Sequence, residues 1–198
     1  MRQTVYLVRH GQTLFNQLHK IQGASDSPLT DYGISQAKIA KKYLEDNDIN
    51  FDAAFSSTQE RAVDTLELLT DQPYQRLKDF KEWNFGVFES ESEALNPKHP
   101  GKNSYGDFFV EYGGESVNQV ANRMNTGLRK LFEDKTNKQI LVVTHGGAMH
   151  AFRLANLHDN DPERLAVPNL AFMVFEYDDI LDEFFLKEVV QHDFSQLI

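Results

Sequence analysis

Apolar residues fall along this chain in two alternating rhythms. Residues 4–8 form a short, β-rich apolar run of the kind a buried strand needs, and residues 51–55, 140–143, 171–177 and 184–190 repeat it. Helical spacing fills the intervals. Thr30 can cap a helix reaching about Asp46, with Ile34, Ala37, Ala40 and Leu44 on one face. Residues 59–69 predict a second helix, burying Ala62, Leu66 and Leu69. Ser116 and Gln119 make a capping box, and Val117, Val120, Ala121, Met124, Leu128, Leu131 and Phe132 form an apolar stripe behind it to about Asp134. A short helix follows His145-Gly146-Gly147, and residues 178–182 read as an acidic turn between the last two strands.

Strands alternating with amphipathic helices predict one α/β domain over residues 1–198, three-layered α/β/α, with helices on both faces of a mostly parallel sheet. About residues 89–114 the rhythm breaks. Pro97, Pro100, Gly101, Gly106 and Gly113 mix there with Tyr105, Phe108, Phe109 and Tyr112, which reads as an insertion over a site. Trp83, Phe85, Phe108 and Phe109 are candidates for an apolar wall of that site.

Composition narrows the function. A formal charge of −10 argues against a nucleic-acid partner, which needs clustered Lys and Arg, and any anionic substrate must be caught by a locally positive cleft. No apolar run is long enough to span a bilayer, and no leader precedes the first strand, so neither membrane nor export is expected. Zero cysteines excludes disulfides and thiolate chemistry and fits a reducing cytoplasm. There is no heptad run or exposed apolar stripe to fix the oligomeric state, and a homodimer stays open.

In open α/β sheets, ligands bind beyond the carboxyl ends of the strands. His10 follows the first strand, between Arg9 and Gly11; His145 follows the run 140–143 and precedes Gly146 and Gly147. Arg61 opens the helix after another strand, where a guanidinium can meet phosphate oxygens in pairs. Glu82, among Trp83 and Phe85, is a candidate general acid. Metal ligation is not expected: His145 and His150 are five apart rather than three or four, and His19, His99, His158 and His192 are scattered. Neither strand end offers the G-x-G-x-x-G of a dinucleotide site.

These pieces resemble the histidine phosphatase superfamily, the group that includes phosphoglycerate mutases. Arg9-His10-Gly11-Gln12-Thr13, with Asn16 and residues 22–30, resembles its signature; Ser57 to Ala62 with Thr65, Glu82 with Phe85-Gly86, and Thr144 to Gly147 resemble its later blocks. The resemblance implies a phosphoglycerate mutase-like fold without cofactor or metal. It also implies that His10 takes the phosphoryl group while Arg9, Arg61 and His145 surround its oxygens. Asn16, Gln22, Gly23 and Gly146 would bind substrate, and Glu82 would protonate the leaving oxygen. The cationic neighbours would keep the His10 imidazole neutral, as a nucleophile must be. Ser90 departs from the pattern where Gly is frequent.

Family mutases carry Arg and Tyr just after the acid, and an Arg pair in a longer insertion. Here Trp83 and Phe85 stand in the first two places, and the insertion holds Lys98 and Lys102, no Arg, and Glu89, Glu91 and Glu93. The sequence therefore predicts a phosphatase acting on a small phosphorylated metabolite. A cofactor-dependent mutase is the alternative, followed by a phospholigand-binding protein without turnover.

Overall fold

Every predicted apolar run joins one sheet in the computed structural model, which describes residues 2–98, 104–162 and 165–197. The strands are β1 (Arg2–Arg9), β2 (Ala53–Ser57), β3 (Tyr74–Leu77), β4 (Gln139–Thr144), β5 (Phe172–Asp178) and β6 (Glu183–Val190). Their order is β3-β2-β4-β1-β5-β6. β3, β2, β4 and β1 run parallel; β5 is antiparallel to β1, and β6 to β5. The helices are α1 (Leu14–Gln17), α2 (Asp31–Asp46), α3 (Glu60–Leu69), α4 (Val117–Glu133) and α5 (Gly146–Ala155).

Strand residues alternate between two cores, as the two-residue period requires. Ile140 and Val142 join Val120, Met124, Leu128 and Phe152 under α4 and α5; Leu141 and Val143 join Ala37, Ala40, Ala62 and Leu66 under α2 and α3. That is why residues 140–143 are apolar without a break: a parallel strand is buried on both faces. Each fully buried Leu, Met or Phe on these faces contributes about 1.5–3 kcal/mol of apolar burial. Both helix starts expected from sequence are capped by side chains. Thr30 accepts the Gly33 N–H, and Ser116 and Gln119 close the reciprocal box.

Among the described residues no helix is long and apolar enough to cross a membrane. Pro100, Gly101 and Lys102 of the proposed insertion, and His99, lie outside the described residues. Of the four rings expected to wall the site, Phe85 lines the cavity beside His10 and Glu82, and the other three do not. Trp83 and Phe109 are core residues, 1% and 0% exposed, and Phe108 packs against the same core. The chain from Tyr105 to Gly114 folds back on the acid loop, where the Glu115 N–H donates to the Asn84 carbonyl at 2.8 Å. This turns those rings inward. Ser90 has φ of 68°, the left-handed region that favours glycine, which accounts for the Gly frequent at that place in the family.

Candidate active site

The register of β1 and β4 builds the site. Arg9 pairs with Thr144, so His10 and His145 stand side by side, one residue beyond their strands. Their rings lie 5.2 Å apart at 61°, and both are buried. His10 Nδ1 lies 2.8 Å from the Gly11 carbonyl oxygen. A carbonyl only accepts, so Nδ1 carries the proton and Nε2 is the bare nitrogen. The peptide that follows is held on both sides: Gly11 N–H donates to Thr65 Oγ1 at 3.0 Å, and Asn169 Nδ2 donates to the His10 carbonyl at 2.9 Å.

Arg61 is fully buried behind this nitrogen. Its Nε donates to His10 Nε2 at 3.3 Å, while Nη1 reaches the Ser25 carbonyl and Asp26 Oδ1, both at 2.9 Å, and Nη2 reaches the Gly23 carbonyl at 3.0 Å. Most of its donors are therefore spent on the turn at residues 22–26, and only the Nε–H faces the reacting position. Asp26 also accepts the Glu60 N–H at the start of α3, tying turn to helix. Glu89 fixes the other side of the same turn by accepting the N–H groups of Gly23, Ala24 and Ser25. Burial raises the pKa of Glu89, but the N–H donors of Phe85, Ser25 and Ala24, with the Ser25 hydroxyl, more than offset this and leave it below the usual carboxylate value.

Glu82 reaches the N-terminus of α5. Its Oε1 accepts the Trp83 and Ala148 N–H groups at 2.8 and 2.7 Å, and Oε2 accepts Gly147 N–H at 2.9 Å. Gly147 leaves room for this carboxylate, since a Cβ there would stand 2.8 Å from Glu82 Oε1 and push it aside. His145 is the N-cap residue of α5 but gives it no side-chain bond, so the carboxylate of Glu82 meets the helix's free N–H groups instead. The acid loop is braced from behind by Arg123, which donates to the Glu82 carbonyl at 3.0 Å and pairs with Glu115 at 2.9 Å.

A cavity of about 330 Å³ opens over these groups. Of the residues singled out from sequence, Arg9, His10, Asn16, Gln22, Glu82 and Gly146 line it; Arg61, His145 and Gly23 do not. Gly23 is spent on Glu89 and Arg61, and a Cβ there would collide with the Trp83 carbonyl. Its N–H is thus a structural donor and not free for substrate. Arg9 is anchored by Nη1 to the Val167 carbonyl at 2.6 Å, with Nε buried and unpartnered. Both ring nitrogens of His145 are also buried without a partner. Asn16 Oδ1 accepts from Thr13 N–H at 3.2 Å and Asn169 Nδ2 at 3.3 Å, which leaves the Asn16 amide nitrogen as its donor for the cavity. Sequence reading missed Asn169, Glu89 and Asp26. Each acts across long stretches of chain, and no local pattern marks them.

Burial, with Arg61 and Arg9 beside it, holds the His10 imidazole well below the usual 6.5. Burial, then Arg61 and His10, does the same to His145. Both rings are therefore neutral at neutral pH. Above pH 6.5 folded and unfolded chains alike carry them neutral. As pH falls through that value, the unfolded chain takes up protons that the folded chain refuses, and stability declines until the folded pKa values are reached. Thermal unfolding between about pH 8 and pH 5 is expected to show this decline, made shallower by His145→Asn. A melting temperature flat across that window would contradict the assignment of neutral rings.

A family model described as histidine phosphatase superfamily (branch 1) matches residues 5–188. The chain belongs to that superfamily. Within the superfamily the relatives divide. Over 162 residues, 80% of this chain and 79% of the relative, it is 33% identical to the uncharacterized phosphatase PhoE of Bacillus subtilis strain 168. Over 185 residues, 87% and 84% of the two chains, it is 31% identical to the probable phosphoglycerate mutase GpmB of Yersinia pestis. Among solved structures, a phosphoglycerate mutase of Bacillus anthracis strain Sterne superposes with a TM-score of 0.82 at 25% identity, covering 94% of this chain and 92% of that one. A phosphoserine phosphatase of Entamoeba histolytica does so with a TM-score of 0.74 at 25% identity, covering 96% and 98%. Fold and family are thereby established for this histidine phosphatase superfamily enzyme, and its neighbours include both hydrolases and mutases.

Proposed function

We propose that the protein is a metal-independent phosphomonoester hydrolase that acts on a small phosphorylated metabolite through a phosphohistidine at His10. The observation carrying this reading is the contact of His10 Nδ1 with the Gly11 carbonyl, which puts the ring's proton on Nδ1 and leaves Nε2 as the nucleophile. The ring is held neutral by burial and cationic neighbours at a cavity that also contains Glu82.

In the first step Nε2 attacks phosphorus in line, the N–P bond forms and the P–O bond to the leaving group breaks. Glu82, protonated, gives its proton to the departing oxygen. In the second step Glu82 takes a proton from water as that water attacks phosphorus. The N–P bond breaks and orthophosphate leaves. Oε1 of Glu82 already takes two N–H donors and Oε2 only one, which leaves Oε2 as the oxygen for the travelling proton. Arg9 and the Asn16 amide, which line the cavity, and the Arg61 Nε–H, which points at His10 Nε2, are the donors for the phosphoryl oxygens. Phosphoryl transfer is catalysed mainly by such positioning and charge stabilisation.

Hydrolysis is favoured over mutation by the far side of the cavity. Among the described lining residues, the only lysine or arginine beyond Arg9 is Lys20, and it shares the wall with Glu93. A mutase must hold a second anionic group on its substrate. The lack of cysteine fits a cytoplasmic setting for such an enzyme. With chelator present, the protein is expected to release inorganic phosphate from simple esters and to interconvert phosphoglycerates far more slowly. Isomerisation outpacing release would make it a mutase, and phosphate binding without turnover would make it a binding protein.

A further inference from the structure

Beside the groups given a catalytic role, the cavity is lined by Lys20, Phe85, Glu93, Asn96, Leu165 and Val167. One acceptor there lacks a partner: Asn96 Oδ1 is buried without a hydrogen bond. A second, the Glu93 carboxylate, is on a side chain 45% exposed and lies 3.7 Å from His19 Nδ1, beyond hydrogen-bond reach. The turn carrying both is fixed in place: Glu93 N–H donates to the His19 carbonyl at 2.9 Å, Asn96 N–H donates to the Glu93 carbonyl at 3.0 Å, and Ser92 pairs with Lys20 across a bridge. A carbonyl oxygen shielded from water is ordinarily satisfied, so an orphan on a residue that lines a cavity points to a ligand's donor.

We propose that this wall is a subsite for a small leaving group carrying hydrogen-bond donors, hydroxyl or ammonium, with Asn96 Oδ1 and Glu93 as the acceptors that read it. The inference rests on the phosphomonoesterase reading above. Size limits the leaving group, since about 330 Å³ lies at the low end for small-molecule sites. Charge limits it as well. A carboxylate or second phosphate would meet Glu93, and Lys20, whose Nζ stands 5.4 Å from the Phe15 ring centroid, does no more than balance that charge.

The test compares wild type, Asn96→Leu and Glu93→Gln on four esters. These are p-nitrophenyl phosphate without donors, glycerol 3-phosphate with hydroxyls, ethanolamine phosphate with an ammonium, and 3-phosphoglycerate with a carboxylate beside its hydroxyl. Asn96→Leu is expected to lower kcat/KM on the two donor-bearing esters without a carboxylate about tenfold, the worth of one hydrogen bond, and to leave p-nitrophenyl phosphate within about twofold. Glu93→Gln is expected to spare the hydroxyl ester, weaken the ammonium ester and improve 3-phosphoglycerate. A loss on ethanolamine phosphate alone identifies an ammonium reader; loss on both donor esters identifies a general donor reader. Equal losses on all four esters, no change on any, or a wild-type preference for 3-phosphoglycerate would overturn the subsite. If wild type turns over none of them, including p-nitrophenyl phosphate, the phosphatase reading falls first and takes the subsite with it.

Discussion

Replacing His10 by alanine is expected to lower kcat/KM on every phosphate ester by about 10⁴-fold or more, because it removes the covalent route and not one contact among several. His145, the nearest imidazole, is the N-cap residue of α5, and its ring does not line the cavity. Among the described lining residues the other imidazole is His150, on α5 and not at the end of β1. Binding should survive. Arg9, Arg61 and the Asn16 amide keep their anchors on Val167, Asp26 and Thr13, none of which depends on the His10 ring. Inorganic phosphate is therefore expected to inhibit or bind the variant within a few-fold of wild type, measured by calorimetry. A variant that keeps even a tenth of the wild-type rate would remove His10 from the chemistry.

The second large effect belongs to Glu82→Gln and depends on the leaving group. General acid catalysis is worth about 10²–10⁴-fold when the departing oxygen is a poor leaving group, and little when that oxygen departs readily as an anion. The variant should thus lose two or more orders of magnitude on alkyl phosphates and far less on p-nitrophenyl phosphate. The substitution is not innocent of structure. A glutamine can still accept from Trp83 and Ala148, but its NH₂ then faces the Gly147 N–H that Oε2 accepted. Misplacement of α5 would slow all esters equally, and this separates the two causes. Rates plotted against leaving-group pKa should fall more steeply for the variant than for wild type. Parallel lines would assign Glu82 a purely structural role.

What could be read from sequence follows from where the information sits. The apolar run of β4 is continuous because both faces of the strand are buried, and β1 buries Val5, Leu7 and Val8 with Thr4 and Tyr6 half-buried; such runs are visible without any partner. β3 escaped notice because Tyr74-Gln75-Arg76-Leu77 is an edge strand with its middle residues exposed, so no apolar pattern marks it. The run at residues 51–55 was misplaced by two positions relative to β2. Phe51 packs edge-on against Tyr6 outside the strand, and Ser56 and Ser57 extend the ladder with buried hydroxyls instead of apolar side chains.

The same division applies to the site. His10 and His145 share a sequence context, strand then His then Gly, and the β1–β4 register converts that likeness into adjacency. Arg61 was legible as a cation beyond a strand end but not as the tie between α3 and the turn at residues 22–26, since two of its acceptors are backbone carbonyls that any sequence would supply. Glu89 read as one more acid at the start of an insertion. In the fold it receives the N–H groups of the turn that holds Arg61, a role visible only in three dimensions.

The central claim is a covalent bond between phosphorus and Nε2 of His10. Wild-type protein mixed with a rapidly hydrolysed ester, quenched in alkali within milliseconds and digested, should yield the peptide containing Arg9-His10-Gly11 heavier by one phosphoryl group and labile to acid. The adduct should be absent from His10→Ala and should accumulate when Glu82→Gln slows its hydrolysis. Full turnover with no such peptide at any quench time, or with the label on another residue, would contradict the account.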